Sequence, residues 1–218
     1  MQIPKWEFFI LFGCKNAETG IFLDNFHKIY QNGNYKREVI EMVTRMEYLQ
    51  KLLDWKDEKV IKVITGIRRC GKSTLLLQYQ EHLKEQGIDD SQIISVNFED
   101  LQYEELLDYK TLYDYIQKRL CKDKMTYIFL DEIQKVDSFE KVVDSLHIKE
   151  HTDIYLTGSN AYMLSSDLAT LLTGRYVELS MLPLSFKEYA QLTNDTSEHA
   201  FSDYMRYGGL PYVAATVS

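Results

Sequence analysis

The run Gly66-Ile67-Arg68-Arg69-Cys70-Gly71-Lys72-Ser73 spaces two glycines and a lysine–serine pair as a phosphate cradle needs them. Glycine at both ends of the turn lets backbone N–H groups converge on phosphate oxygens without a Cβ in the way. A lysine just inside the following helix reaches the outermost phosphates, and the helix N-terminus adds positive potential. The serine hydroxyl is a compact oxygen ligand of the kind Mg²⁺ prefers. The candidate nucleotide contacts are therefore Gly66, Ile67, Arg68, Arg69, Cys70, Gly71, Lys72, Ser73 and Thr74, with Ser73 also a metal ligand. Arg68 and Arg69 read as solvated side chains on a loop whose backbone does the binding. Cys70 lies among arginines and a lysine, which predicts a lowered thiol pKa and a reactive sulfur whose modification blocks nucleotide binding. The other reading of Cys70 is a tolerated small residue.

A second constellation is Tyr127-Ile128-Phe129-Leu130-Asp131-Glu132, an apolar run ending in two acids. Beside a phosphate loop, Asp131 suits Mg²⁺, and Glu132 suits a base that polarises an attacking water. The third is Ile154-Tyr155-Leu156-Thr157-Gly158-Ser159-Asn160, where Asn160 is the first choice for orienting that water, with Ser159 or Thr157 in reserve. A strand-to-helix turn with capping hydroxyls explains the same residues. Arg175, just before an apolar run, can reach a neighbouring subunit's γ-phosphate, or it can be a cation complementing a helix C-terminus.

These groups have to be held by strands and helices. Short apolar runs at 60–65, 93–98, 127–131, 153–157 and 176–179 alternate with helical patterns at 72–86, 101–121 with a break near Thr111, 138–147 and 166–172. That order builds an α/β fold, a five-stranded parallel sheet flanked by helices. The unbroken 127–130 run suits an interior strand, whereas alternation at Val177-Glu178-Leu179 suits an edge. Ser185 and Glu188 form a capping box that starts a short helix, and a second, 198–207, stops at Gly208-Gly209-Leu210-Pro211. Ahead of the first strand, Val39, Met42, Val43, Met46, Leu49, Leu52 and Leu53 mark one helical face. The expected divisions are an N-terminal extension at 1–41, a core at 42–180, and a short helical segment at 181–218 that opens a further region. Met42 or Met46 is a candidate translation start.

The charge is −8, from 25 basic and 33 acidic residues, which gives nucleic acid or anionic lipid no global attraction. Three cysteines are too few and odd in number for a disulfide framework, so a cytoplasmic setting is expected. The apolar stretch Phe8 to Cys14 is short for a membrane span and carries only a faint likeness to a secretory leader. The acidic residues Glu99, Asp100, Glu104, Glu105 and Asp108 read as a solvated face. The 16 tyrosines read as packing, and the 5 histidines match no zinc spacing.

Taken together, these segments resemble the prokaryotic AAA-type (AAA+ superfamily) P-loop ATPases that carry a C-terminal domain of unknown function. The likeness runs from about Met42 to Val213 and includes Phe129-Leu130-Asp131-Glu132-Ile133-Gln134, Leu172-Thr173-Gly174-Arg175 and Gly208-Gly209-Leu210-Pro211. It implies strand order 5-1-4-3-2, ATP and Mg²⁺ as cofactors, Asn160 or a neighbour as first sensor, and Arg175 as arginine finger in a homo-oligomer. Family members begin near Met42 and continue beyond Ser218. The expected function is Mg-dependent ATP hydrolysis that drives an attached or partner module. The alternative is a nucleotide-dependent switch with little turnover. A small-molecule kinase fits less well because Asp131-Glu132 suits water activation, and the base-reading Asn-Lys-x-Asp of GTPases is absent.

Overall fold

Three strands, β1 (Ile61–Gly66), β3 (Thr126–Asp131) and β4 (Thr152–Thr157), are buried along their whole length. Runs of this kind belong inside a parallel sheet, where helices cover both faces. The computed structural model describes residues 43–158 and 174–217, and in it β2 (Ile93–Asn97) and β5 (Tyr176–Met181) form the partly exposed edges. The order is β2-β3-β4-β1-β5 with every pairing parallel, the expected 5-1-4-3-2 arrangement. Register aligns Ile64 with Thr157 and Leu130 with Leu156. The C-terminal ends of β1, β3 and β4 therefore meet at one edge, the usual place for a site in such folds.

Successive residues of each strand face opposite helical layers. Tyr127, Phe129, Tyr155 and Ile64 pack with Leu49 and Leu52 of α1 (Met46–Asp54) and with Leu75, Tyr79 and Leu83 of α2 (Lys72–Glu85). Ile128, Leu130, Ile154 and Val63 pack on the other side with Leu112 and Ile116 of α3 (Tyr109–Gln117) and Val142, Val143 and Leu146 of α4 (Phe139–His147). Two expectations need correction. Met46 does not join the apolar face of the first helix; it is 55% exposed, because the helix begins at that residue and turns Leu49 and Leu52 inward instead. The 101–121 stretch is a 3₁₀ segment, Leu101–Leu107, followed by α3, and the break falls at Asp108, whose carboxylate accepts the Thr111 N–H. Residues before Val43, and the expected helix at 166–172, lie outside the described residues. No helix among the described residues is long and apolar enough to cross a membrane.

The helices α5 (Phe186–Thr193), α6 (Glu198–Tyr207) and α7 (Pro211–Val217) gather around Leu184, Tyr189, Ala200 and Ala214. Ser185 caps α5 through the expected reciprocal box with Glu188. The Gly208-Gly209-Leu210-Pro211 segment does more than stop α6. Gly209 accepts the Leu184 N–H at 2.7 Å, and a Cβ there would stand 2.1 Å from the Leu184 carbonyl oxygen.

Candidate active site

The phosphate loop leaves β1 at Gly66 and enters α2 at Lys72. At Gly66 a Cβ would lie 2.5 Å from the Met181 carbonyl oxygen and 2.8 Å from Cys70 Sγ, so only glycine lets β5 approach the loop this closely. Gly71 caps α2 in the left-handed region, with φ 106°. Ile67, Arg68 and Arg69 point to solvent, and Arg68 pairs with Glu99, 3.4 Å away at the surface. Cys70 departs from expectation. Its thiol is fully buried against Gly66, and burial pushes its pKa up, overriding the charges of Lys72 and Arg45 that pull it down. Flanking positive charge predicted a lowered thiol pKa; desolvation outweighs it, and the side chain packs in the core.

Lys72 is buried, its Nζ 3.2 and 3.3 Å from the Gly66 and Ile67 carbonyl oxygens and 3.7 Å from Glu132 Oε1. Ser73 and Thr74 occupy the first turn of α2, and the Ser73 side chain hydrogen-bonds Asp131. Asp131, at the end of β3, is buried, which raises its pKa. Hydrogen bonds from Thr157 and Ser73 and the charge of Lys72 work against that rise, and Glu132 adds to it. A buried carboxylate beside a serine hydroxyl is a hard oxygen donor pair. That fits Mg²⁺, which takes a few protein oxygens and completes its shell with phosphate and water.

Glu132 sits just past β3 in the left-handed region, φ 56°. Its N–H donates to Thr157 Oγ1 at 2.9 Å, and that hydroxyl donates to Asp131 Oδ1. Thr157, a reserve choice for orienting water, is thus committed to holding the two acids. Gln134, on the 3₁₀ turn Ile133–Lys135, donates to Glu132 Oε2. Asn160 and Ser159 lie outside the described residues. Arg175 is at the opposite end of the sheet: its carbonyl accepts the N–H of Ile61, the first residue of β1, and its guanidinium pairs with Asp144 of α4 at 2.9 Å. A six-residue strand separates it from its own loop by ~20 Å, so within one chain it does not meet the loop. Of the acidic stretch, Asp100 and Asp108 cap the Leu101–Leu107 segment and α3.

Sequence reasoning missed Arg45. This buried guanidinium forks onto Glu188 of α5, with Nε to Oε1 at 2.8 Å and Nη2 to Oε2 at 3.1 Å. It also donates to the carbonyls of Leu182 at 2.7 Å, Pro183 at 3.3 Å and Cys70 at 3.4 Å. It therefore ties the phosphate loop to the segment after β5. The capping-box glutamate was visible in the sequence, but its partner 143 residues away was not. Burial raises the Glu188 pKa, but Arg45 and the Ser185 N–H and hydroxyl together leave it below its ordinary 4.5. A depressed carboxylate stabilises the fold above its unfolded pKa and loses that contribution as pH falls through the folded value. Glu188→Gln is accordingly expected to lower the urea midpoint at pH 7, by about 2 kcal/mol of stability. The gap from wild type should close as pH drops below 4.5. A gap constant down to pH 3 would contradict this.

Comparison with known proteins adds to this picture. Residues 58–190 match a family model described as AAA domain. An uncharacterised protein of Haemophilus influenzae is 44% identical over 178 residues, covering 79% of this chain and 44% of that protein. An uncharacterised protein of Methanocaldococcus jannaschii is 33% identical over 168 residues, covering 70% of this chain and 36% of that one. The chain thus spans less than half the length of these curated relatives. The solved structure of a Walker-type ATPase of Pyrococcus abyssi superposes with a TM-score of 0.57 at 18% identity, covering 79% of this chain and 66% of that chain. At that identity the likeness is one of fold.

Proposed function

This chain belongs to the AAA-domain family of P-loop ATPases, and we propose that it hydrolyses Mg-ATP to ADP and phosphate, the cycle moving an attached or partner module. The observation that carries this reading is the Glu132 carboxylate, 3.7 Å from the Lys72 ammonium at the mouth of the phosphate loop. A base in that position distinguishes a site that activates water from one that only holds nucleotide.

In this reading the loop N–H groups and the N-terminus of α2 grip the phosphates, and Lys72 turns from the loop carbonyls to the β- and γ-oxygens. Ser73 and Asp131 would hold Mg²⁺, which when bound offsets phosphate charge. Glu132 takes a proton from water as the water oxygen bonds to the γ-phosphorus. The bond to the β–γ bridging oxygen breaks, and its electron pair leaves with ADP. Asn160, three residues past the end of β4 in the sequence, is the proposed residue that orients the water. Arg175 is proposed to act on a neighbouring copy, supported by its distance from its own loop and its exposed position. Two free cysteines among the described residues support a cytoplasmic setting.

The test is steady-state phosphate release from Mg-ATP by this chain, with nucleotide binding measured on the same sample. Release supports the reading. Binding without release would replace it with that of a nucleotide-dependent switch. For Arg175, mixing Arg175→Ala with Glu132→Gln chains should restore activity to two inactive proteins. No recovery in verified mixed oligomers would refute action on a neighbour.

A further inference from the structure

We propose that Gln134 is a positioning residue for Glu132, its side-chain amide aiming the carboxylate at the attacking water. This rests on reading Glu132 as the base. The Glu132 backbone is already immobilised, its left-handed conformation held by the N–H bond to Thr157 at 2.9 Å. The turn that follows is closed by Lys135 N–H to the Glu132 carbonyl at 3.2 Å and Val136 N–H to the Ile133 carbonyl at 2.9 Å, with Ile133 and Val136 fully buried. Only the side-chain torsions of Glu132 remain to be set. Two groups set them: Lys72 from the Oε1 side and the Gln134 amide nitrogen on Oε2.

Lys72 is a poor long-term anchor, because its ammonium is the group expected to swing to the phosphates once nucleotide binds. Gln134 carries no charge and has no competing claim from an anion, so it keeps hold of Oε2 through that change. Its other atom supplies the second half of the argument. Gln134 Oε1 is buried and has no hydrogen-bond partner among the described residues. Such an acceptor carries a desolvation cost unless something donates to it. The fold carries that cost while keeping the amide nitrogen on Glu132 Oε2, which marks the side chain as held for that contact rather than for packing. Orientation of this kind affects the chemical step rather than nucleotide affinity.

Gln134→Met keeps the side-chain length and removes both donor and acceptor. It is expected to lower kcat about tenfold to a hundredfold, with the KM for ATP and nucleotide affinity within about twofold of wild type. In a Glu132→Gln background the same substitution should leave the residual rate unchanged, because Gln134 acts through Glu132. A wild-type kcat in Gln134→Met overturns the inference. So does a parallel loss of affinity, or an equal loss in both backgrounds, since each marks a general structural role. A wild-type chain that hydrolyses ATP while Gln134→Met is unaffected removes this inference alone. A wild-type chain that binds ATP without releasing phosphate removes the hydrolase reading and this inference together.

Discussion

Glu132→Gln is expected to release phosphate about 10²- to 10⁴-fold more slowly than wild type while still binding Mg-ATP. The substitution preserves shape and removes only the capacity to accept a proton, and it leaves the Thr157 bond to the Glu132 N–H in place. The loss corresponds to about 2.7–5.5 kcal/mol of barrier. Lys72→Ala should differ in kind. The ammonium lies where the phosphates would be gripped, 3.2 Å from the Gly66 carbonyl oxygen, so its removal should weaken nucleotide binding as well as turnover. Measured side by side, the pair separates binding from chemistry. If Glu132→Gln kept more than a tenth of wild-type turnover, Glu132 would not be the base, and water activation would have to be sought on the residues that follow β4.

The second large effect is on stability. Lys62 of β1 and Asp153 of β4 are both fully buried, with Nζ 2.5 Å from Oδ1. Burial lowers the Lys62 pKa and raises that of Asp153, and each group's charge opposes the other's shift. Further hydrogen bonds support the pair: Lys62 donates to the Glu58 carbonyl at 2.8 Å, while Asp153 Oδ2 accepts the Asp57 N–H and the Tyr155 hydroxyl, each at 2.9 Å. Tyr79 bonds the Tyr155 hydroxyl at 2.9 Å, and Tyr127 donates to Asp57 at 2.8 Å. Removing one partner leaves a buried charge uncompensated, so Lys62→Met is expected to cost about 3–5 kcal/mol. Set against a typical total of about 5–15 kcal/mol, that is a large fraction of the fold's stability. Adding Asp153→Val should recover only part of the loss, because the Asp57 N–H and Tyr155 hydroxyl lose their acceptor. Urea midpoints of wild type, single and double variants test this, and a single variant within 1 kcal/mol of wild type would show that the pair contributes little.

Arg45 gives the site a mechanical connection to the segment after β5. One guanidinium reaches the Cys70 carbonyl of the phosphate loop, the Leu182 and Pro183 carbonyls and the Glu188 carboxylate. A change in loop conformation on binding nucleotide would therefore be felt at the start of α5. This contact is where movement of an attached module would begin in the proposed cycle.

Local chemistry made much of this protein legible from sequence. Strand identity followed from apolar runs, the phosphate loop from glycine spacing, and the α5 start from Ser185 and Glu188, because each depends on residues within a turn or two of one another. Strand order came from the family likeness rather than from any local signal. What tertiary structure alone decided are the contacts between residues far apart in the chain. Burial against the neighbouring Gly66 turn pushed the Cys70 thiol pKa up, although its flanking charges pointed the other way. Thr157 became the support of Asp131 and Glu132 because β3 and β4 lie side by side. Arg45 found Glu188, and Lys62 found Asp153, across separations of 143 and 91 residues. A lone arginine or lysine in a sequence reads as surface, since burying its charge is prohibitive without a partner. Only the fold brings that partner within hydrogen-bonding distance.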